Sequence, residues 1–401
     1  MRDMMMPYMG PWLETLATAL DKVPNPSSFD QCATTLDALS SWARAVQYFA
    51  KPAGDALMPA LSRGAMMFHS IAPVWAQYSA ESDHLDPGND SDGDAVSFEA
   101  VVTELLELVI NIAEQPKLSK LLEANLVDTI YVAIGYMTMT PSQEEQWMDD
   151  PNQYVADEDD DFSTVRAACG LMLDSLCDRY GTKAIKALTE AANRRMSEAI
   201  AMQQAGDANW WKGREASLLA IGTLSEGILG SAKNAQGKGK TPPLDIAAFM
   251  ANVLEVDLHD STAAAAPFLR GRALWVTARL AGGVPPHMAD AVLKASVRSL
   301  APGLAPPLRI GACRAIAESL SMAKPEVLAP YVGEIYNGLG ALLGDAGEET
   351  LHLVLEGLNA IMKADDTAAA QWLGALVPAV VKRWAQYVCD PLISADTTEV
   401  F

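Results

Sequence analysis

Apolar residues recur at helical spacing along nearly the whole chain, and no sustained alternation of β-branched residues bounded by turn signals is present. The pattern predicts helix after helix. From Val165 the apolar positions are Val165, Ala168, Cys169, Met172, Leu173 and Leu176; from Leu308 they are Leu308, Ala312, Ala315, Ile316 and Leu320. Each set is a stripe on one helix face that a neighbouring helix must cover. Prolines and glycines punctuate the pattern at Lys51-Pro52-Ala53-Gly54, Ala281-Gly282-Gly283-Val284-Pro285-Pro286, Ala301-Pro302-Gly303 and Ala305-Pro306-Pro307, which read as turns between paired helices. The spacing predicts helices at 28–50, 53–79, 97–114, 117–139, 162–180, 182–204, 208–230, 242–256, 263–281, 286–300, 304–323, 326–343, 346–363 and 368–388.

Stacked helix pairs of the HEAT type repeat every ~40–47 residues, with an arginine near the start of the second helix of each unit. Arg166, Arg214, Arg272 and Arg309 fit that place as inter-repeat structural residues, at intervals of 48, 58 and 37 residues. The long interval spans a basic loop at 233–243. Asp160 stands six residues before Arg166, a spacing at which a turn aspartate can pair with the arginine of a stacked unit. The expected fold is all-α: a HEAT/ARM-type α-solenoid of stacked antiparallel helix pairs forming a right-handed superhelix, with an ordinary helical bundle as the alternative. Repeats are expected at 1–80, 97–148 and 162–390, acidic loops at 81–96 and 149–161, and a truncated end at 391–401.

Composition narrows the class further. Half of the 401 residues are apolar, enough to bury more than one ordinary core. No apolar stretch approaches the ~18 residues that cross a bilayer, so no membrane insertion is expected. The N-terminus has neither the apolar region nor the cleavage site of a secretory signal, which points to cytosol or nucleus. Cys32, Cys169, Cys177, Cys313 and Cys389 are odd in number and widely spaced, as for reduced core thiols. The net charge of −22 is concentrated: 81–161 holds 21 acidic residues against Lys117 and Lys120, a balance of −19. Such a field repels nucleic acid and attracts basic proteins, more weakly as salt rises.

Chemistry-bearing motifs are absent or broken. Gly237-Lys238-Gly239-Lys240-Thr241 lacks the leading glycine of a phosphate loop, Asn234 standing there. Gly88-Asn89-Asp90-Ser91-Asp92-Gly93-Asp94 with Glu99 resembles a calcium loop, but its first ligand position is Gly88. No nucleophile setting or metal-ligand pair occurs, so no enzyme activity, cofactor or metal is expected. The run Asp157, Glu158, Asp159, Asp160 and Asp161 is either a solvated stretch at a helix start or a receptor for Lys and Arg tails. Asp90, Asp92 and Asp94 are candidates of the same kind. Of Trp210 and Trp211 one is expected in the core, and Trp275 and Trp372 lie in apolar stripes.

Several separated blocks resemble the importin-9 branch of the β-karyopherins. They are Asp90-Ser91-Asp92-Gly93 with Phe98-Glu99; Pro151-Asn152-Gln153-Tyr154-Val155-Ala156 running into the acids, with Val165-Arg166-Ala167-Ala168; Trp210-Trp211-Lys212 leading into Glu215-Ala216-Ser217-Leu218; Pro267-Phe268-Leu269 with Gly271-Arg272-Ala273-Leu274-Trp275; and Pro307-Leu308-Arg309-Ile310 with Arg314-Ala315-Ile316. The resemblance implies a nuclear import receptor that wraps basic cargo such as core histones or ribosomal proteins, answers to Ran, touches nucleoporins, and shuttles between cytoplasm and nucleus through the pore. It also implies a central segment of such a receptor, lacking the N-terminal repeats that chiefly engage Ran. The alternative is a HEAT-repeat scaffold or adaptor outside transport.

Overall fold

The helix Phe98–Glu114 shows how the pattern becomes structure. Ser97 caps it, its hydroxyl accepting from Ala100 N–H at 3.0 Å, and Val101, Val102, Leu105, Leu106, Val109 and Ile112 bury one face. The computed structural model describes residues 2–81, 88–89, 93, 95–159, 164–259, 266–322 and 325–400. In chain order its helices are α1 (Arg2–Ala19), α2 (Phe29–Ser70), α3 (Ala72–Tyr78), α4 (Phe98–Glu114), α5 (Lys120–Glu123), α6 (Leu126–Tyr136), α7 (Pro141–Asp149), α8 (Pro151–Asp159), α9 (Val165–Tyr180), α10 (Thr182–Gln204), α11 (Trp210–Thr223), α12 (Ser225–Gly237), α13 (Ile246–Asn252), α14 (Pro267–Arg279), α15 (Ala289–Ser299), α16 (Pro306–Met322), α17 (Pro325–Leu328), α18 (Val332–Asp345), α19 (Glu348–Ala364), α20 (Asp366–Trp384) and α21 (Pro391–Val400). β1 (Gly88–Asn89) and β2 (Ala95–Val96) pair antiparallel, Gly88 facing Val96.

The chain divides into two compact units: Met1–Ser142 with Asp160–Gly227, and Gln143–Asp159 with Ile228–Phe401. In the first, α4 packs between α2 and α9, and α10 packs against α6 and α11. Thr164 caps α9, accepting from Ala167 N–H at 3.1 Å, and Gly181 takes φ +54° in the turn to α10. Trp42, Phe68 and Phe98 are buried in its core, and the Tyr136 hydroxyl donates to Phe68 O at 2.5 Å. Burial of that hydroxyl pushes the Tyr136 pKa far up.

In the second unit α16 is central, packed against α14, α15 and α19. The α14–α16 crossing is backbone on backbone: a Cβ on Gly311 would lie 2.5 Å from Gly271 Cα, and one on Gly271 2.6 Å from Pro307 O. The two glycines at the crossing are what permit that approach.

Several expectations change. The Pro52 segment is no turn, because α2 runs unbroken for 42 residues. Its buried stripe of Leu39, Trp42, Val46, Ala50, Leu57, Leu61 and Phe68 keeps helical period straight through the proline, so packing outweighs the lost backbone bond. The helix expected at 117–139 breaks into α5 and α6, and that at 208–230 breaks at Leu224. The stretch expected as an acidic loop at 149–161 is helical from Pro151 to Asp159, because Asp150 caps it, accepting from the N–H groups of Asn152 (2.9 Å) and Gln153 (3.2 Å). Residues 391–400 of the expected end are likewise helical. The basic insert begins inside α12, and Gly239, at φ +61°, closes that helix while Lys240 N–H reaches back to Ala235 O at 2.9 Å. A glycine-rich helix stop, with no strand feeding it, accounts for the phosphate-loop likeness.

Candidate functional site

The expected arginines sit near the starts of four helices: Arg166 on α9, Arg214 on α11, Arg272 on α14 and Arg309 on α16. Arg166 is buried and bidentate, its Nη1 and Nη2 donating to Glu215 at 2.9 and 2.7 Å, while Nη1 also reaches Met137 O. Among the described residues its carboxylate partner is thus Glu215 of α11. Asp160 lies outside them. Arg214 is 1% exposed. Arg272 pairs with Glu158, and both side chains are buried, 2% and 6% exposed. Arg309 differs: its Nε and Nη2 are sealed from water with no hydrogen-bond partner among the described residues, and burial lowers its pKa against the opposing pull of Asp345.

Sequence reasoning passed over Arg270, which donates through Nε to Ser299 Oγ (3.1 Å) and through Nη1 to Leu258 O (3.0 Å) and His259 O (2.9 Å). The signal was the doublet Arg270-Gly271-Arg272, whose two arginines serve different faces of one helix.

Within the second unit the acidic candidates are anchored. Asp157 accepts from Trp147 Nε1 at 2.7 Å and from Gln153 Nε2 at 2.6 Å. Trp147 and Tyr154 enclose Phe268 of α14, with ring centroids 6.3 and 5.8 Å from it. Asn152 Oδ1 accepts from the N–H (3.3 Å) and hydroxyl (2.7 Å) of Thr350 at the start of α19. Asp157 and Glu158 therefore hold α8 in place. The backbone of Asp159 completes that helix, while Asp160, Asp161, Asp90, Asp92 and Asp94 lie outside the described residues. Glu145, Asp149 and Asp150 at the α7–α8 junction are exposed.

Of the tryptophans, Trp211 is buried and Trp210 half-buried. Trp275 is also half-buried, with the Arg272 and Arg279 guanidinium carbons 4.8 and 5.9 Å from its ring, and half-buried Trp372 stacks on Tyr336 at 5.2 Å. Cys169 and Cys313 are fully enclosed, and burial pushes the Cys313 thiol up to about 12. Among the described residues no group of three His, Cys, Asp or Glu is placed to hold a metal, and no helix is long and apolar enough to cross a membrane.

No family model matches the chain. It is, however, 27% identical over 337 residues to importin-9 of Drosophila melanogaster, a match covering 80% of this chain and 32% of that protein. The chain is importin-9-like. It spans about a third of the length of that relative. Solved structures show the same fold: Kap121p bound to RanGTP superposes with a TM-score of 0.60 at 14% identity, over 99% of this chain and 34% of that one. The exportin Cse1 in its cargo-free, cytoplasmic state gives 0.65 at 13% identity, over 99% and 42%. The fold class is thereby the HEAT-type α-solenoid of the karyopherins. In this importin-9-like chain the buried pairs Arg166–Glu215 and Arg272–Glu158 both fall in blocks that carry the sequence resemblance.

Proposed function

We propose that this chain is a cargo-binding segment of a nuclear import receptor, capturing basic proteins such as core histones or ribosomal proteins for Ran-dependent entry into the nucleus. The likeness to importin-9 over 80% of the chain carries this reading. The excess of acid between 81 and 161 supports it, since a field of that sign draws basic partners and repels nucleic acid. Binding, without catalysis, is the activity. The whole receptor meets Ran and nucleoporins and moves between cytoplasm and nucleus.

Titration of a core-histone dimer at low and high salt tests the proposal. Tight binding that weakens steeply with salt is expected, and replacing Asp159, Asp160 and Asp161 by Asn reduces it. Asp157 and Glu158 are left intact because their substitution unseats α8. Absence of salt dependence, or no preference for histones over neutral proteins, favours a HEAT scaffold outside transport and overturns the proposal.

A further inference from the structure

With Asp157 and Glu158 engaged by Trp147, Gln153 and Arg272, a basic ligand must use carboxylates other than these two. The first unit contains such a set. Between α4 and α9 runs an open groove of about 520 Å³, floored by Ile110, Ala113 and Leu171 and edged by Glu107, Glu114 and Asp178. Ile110 and Leu171 are half-buried, whereas all three carboxylates are exposed. Ser175 and Arg179 complete the lining. Arg179 is already engaged, donating to Ser119 Oγ at 2.9 Å and Pro116 O at 3.2 Å. Among the described residues the Glu107 carboxylate accepts one long bond, from Asn111 Nδ2 at 3.3 Å, leaving most of its acceptor capacity open.

We infer that this groove takes the lysine or arginine side chains of an extended basic segment, apolar stems on Ile110 and Leu171 and cationic heads on Glu107, Glu114 and Asp178. Two features of different kind support that occupant. The carboxylates supply charge complementarity, and an apolar floor between them suits a long aliphatic stem that carries its charge at the tip. Glu107 and Glu114 are two turns apart on one face of α4, about 10.5 Å along its axis, so two carboxylates of one helix face the groove with room for separate cationic heads. The inference rests on the proposed function, since it names where basic cargo docks.

The test uses the full chain and a short oligo-lysine peptide at low salt. The peptide is expected to shift the methyl resonances of Ile110 and Leu171, and E107Q/E114Q/D178N to bind roughly tenfold more weakly. L171S, which leaves the charge untouched, weakens binding as well. A control with equal charge change at exposed sites elsewhere, E226Q/E334Q/E356Q, retains most of the affinity. Equal loss in control and groove variants, or unmoved Ile110 and Leu171 methyls, overturns the groove while basic binding stands. A wild-type chain that ignores the peptide overturns the proposed function and the groove together.

Discussion

Asn152 caps a distant helix through a residue 198 positions further along the chain: its Oδ1 takes the Thr350 N–H and hydroxyl at the start of α19. The residue in the capping position, Gly347, has no side chain to do this, and a Cβ there would lie 2.4 Å from the Asn152 amide. The absence of one side chain and the presence of another are thus a single device, which fastens α8 to α19.

Asn152→Ala should destabilise the second unit by about 1 kcal/mol, the usual worth of a lost cap. Hydrogen exchange should quicken together at the first turn of α19 and in α8. Gly347→Ala should have a similar effect by pushing Asn152 away, and exchange confined to α19 would count against the shared device.

The Arg272–Glu158 pair lies in the same anchor, nearly closed to solvent. Glu158→Gln leaves a buried guanidinium without its carboxylate and should cost about 3–5 kcal/mol, whereas R272M/E158L should recover much of that. Denaturant unfolding of the two variants checks this. Recovery in the double variant would show that the pair specifies the docking of α8 more than it stabilises it.

Gly311→Ala places a methyl where Gly271 of the crossing helix already stands, 2.5 Å away. Both partners are backbone, so neither can turn aside. An overpacked crossing costs about 1–3 kcal/mol, and thermal unfolding should show it, whereas Gly213→Ala, inside α11 and meeting nothing within 4 Å, should instead gain up to about 1 kcal/mol from helix propensity.

What was legible in the sequence was local. The stripe from Val165 to Leu176 and the arginines at 166, 214, 272 and 309 could be read because a helix repeats its face within a few residues. The partners of those arginines could not. Glu158 stands 114 residues from Arg272, and nothing in a run of acids marks which member is buried. Asp157 and Glu158 read as candidates for a visiting cation, yet Trp147, Gln153 and Arg272 hold them, contacts that only folding brings together. Pro52 read as a turn because punctuation was weighed above period. The unbroken stripe through Ala50 and Leu57 was the stronger signal.

Glu104 gives the pH dependence a definite sign. Burial pushes its carboxyl above the ordinary value, with neighbouring Glu107 adding to the shift, while the Ser40 hydroxyl, donating to Oε1 at 2.9 Å, and Arg44 oppose it. A carboxyl raised in the folded state favours the protonated folded form. Its contribution is present below the unfolded-state pKa and lost as pH rises through the folded one. Glu104→Gln should therefore raise the thermal midpoint at neutral pH and leave it nearly unchanged in acid, below that window. Ser40→Ala removes the bond that steadies the charge, so its destabilisation should grow from acid to neutral pH. A midpoint series for both variants across that range decides it: a Gln variant less stable than the parent at pH 7 would mean that the hydrogen bond from Ser40 outweighs the cost of burying the charge.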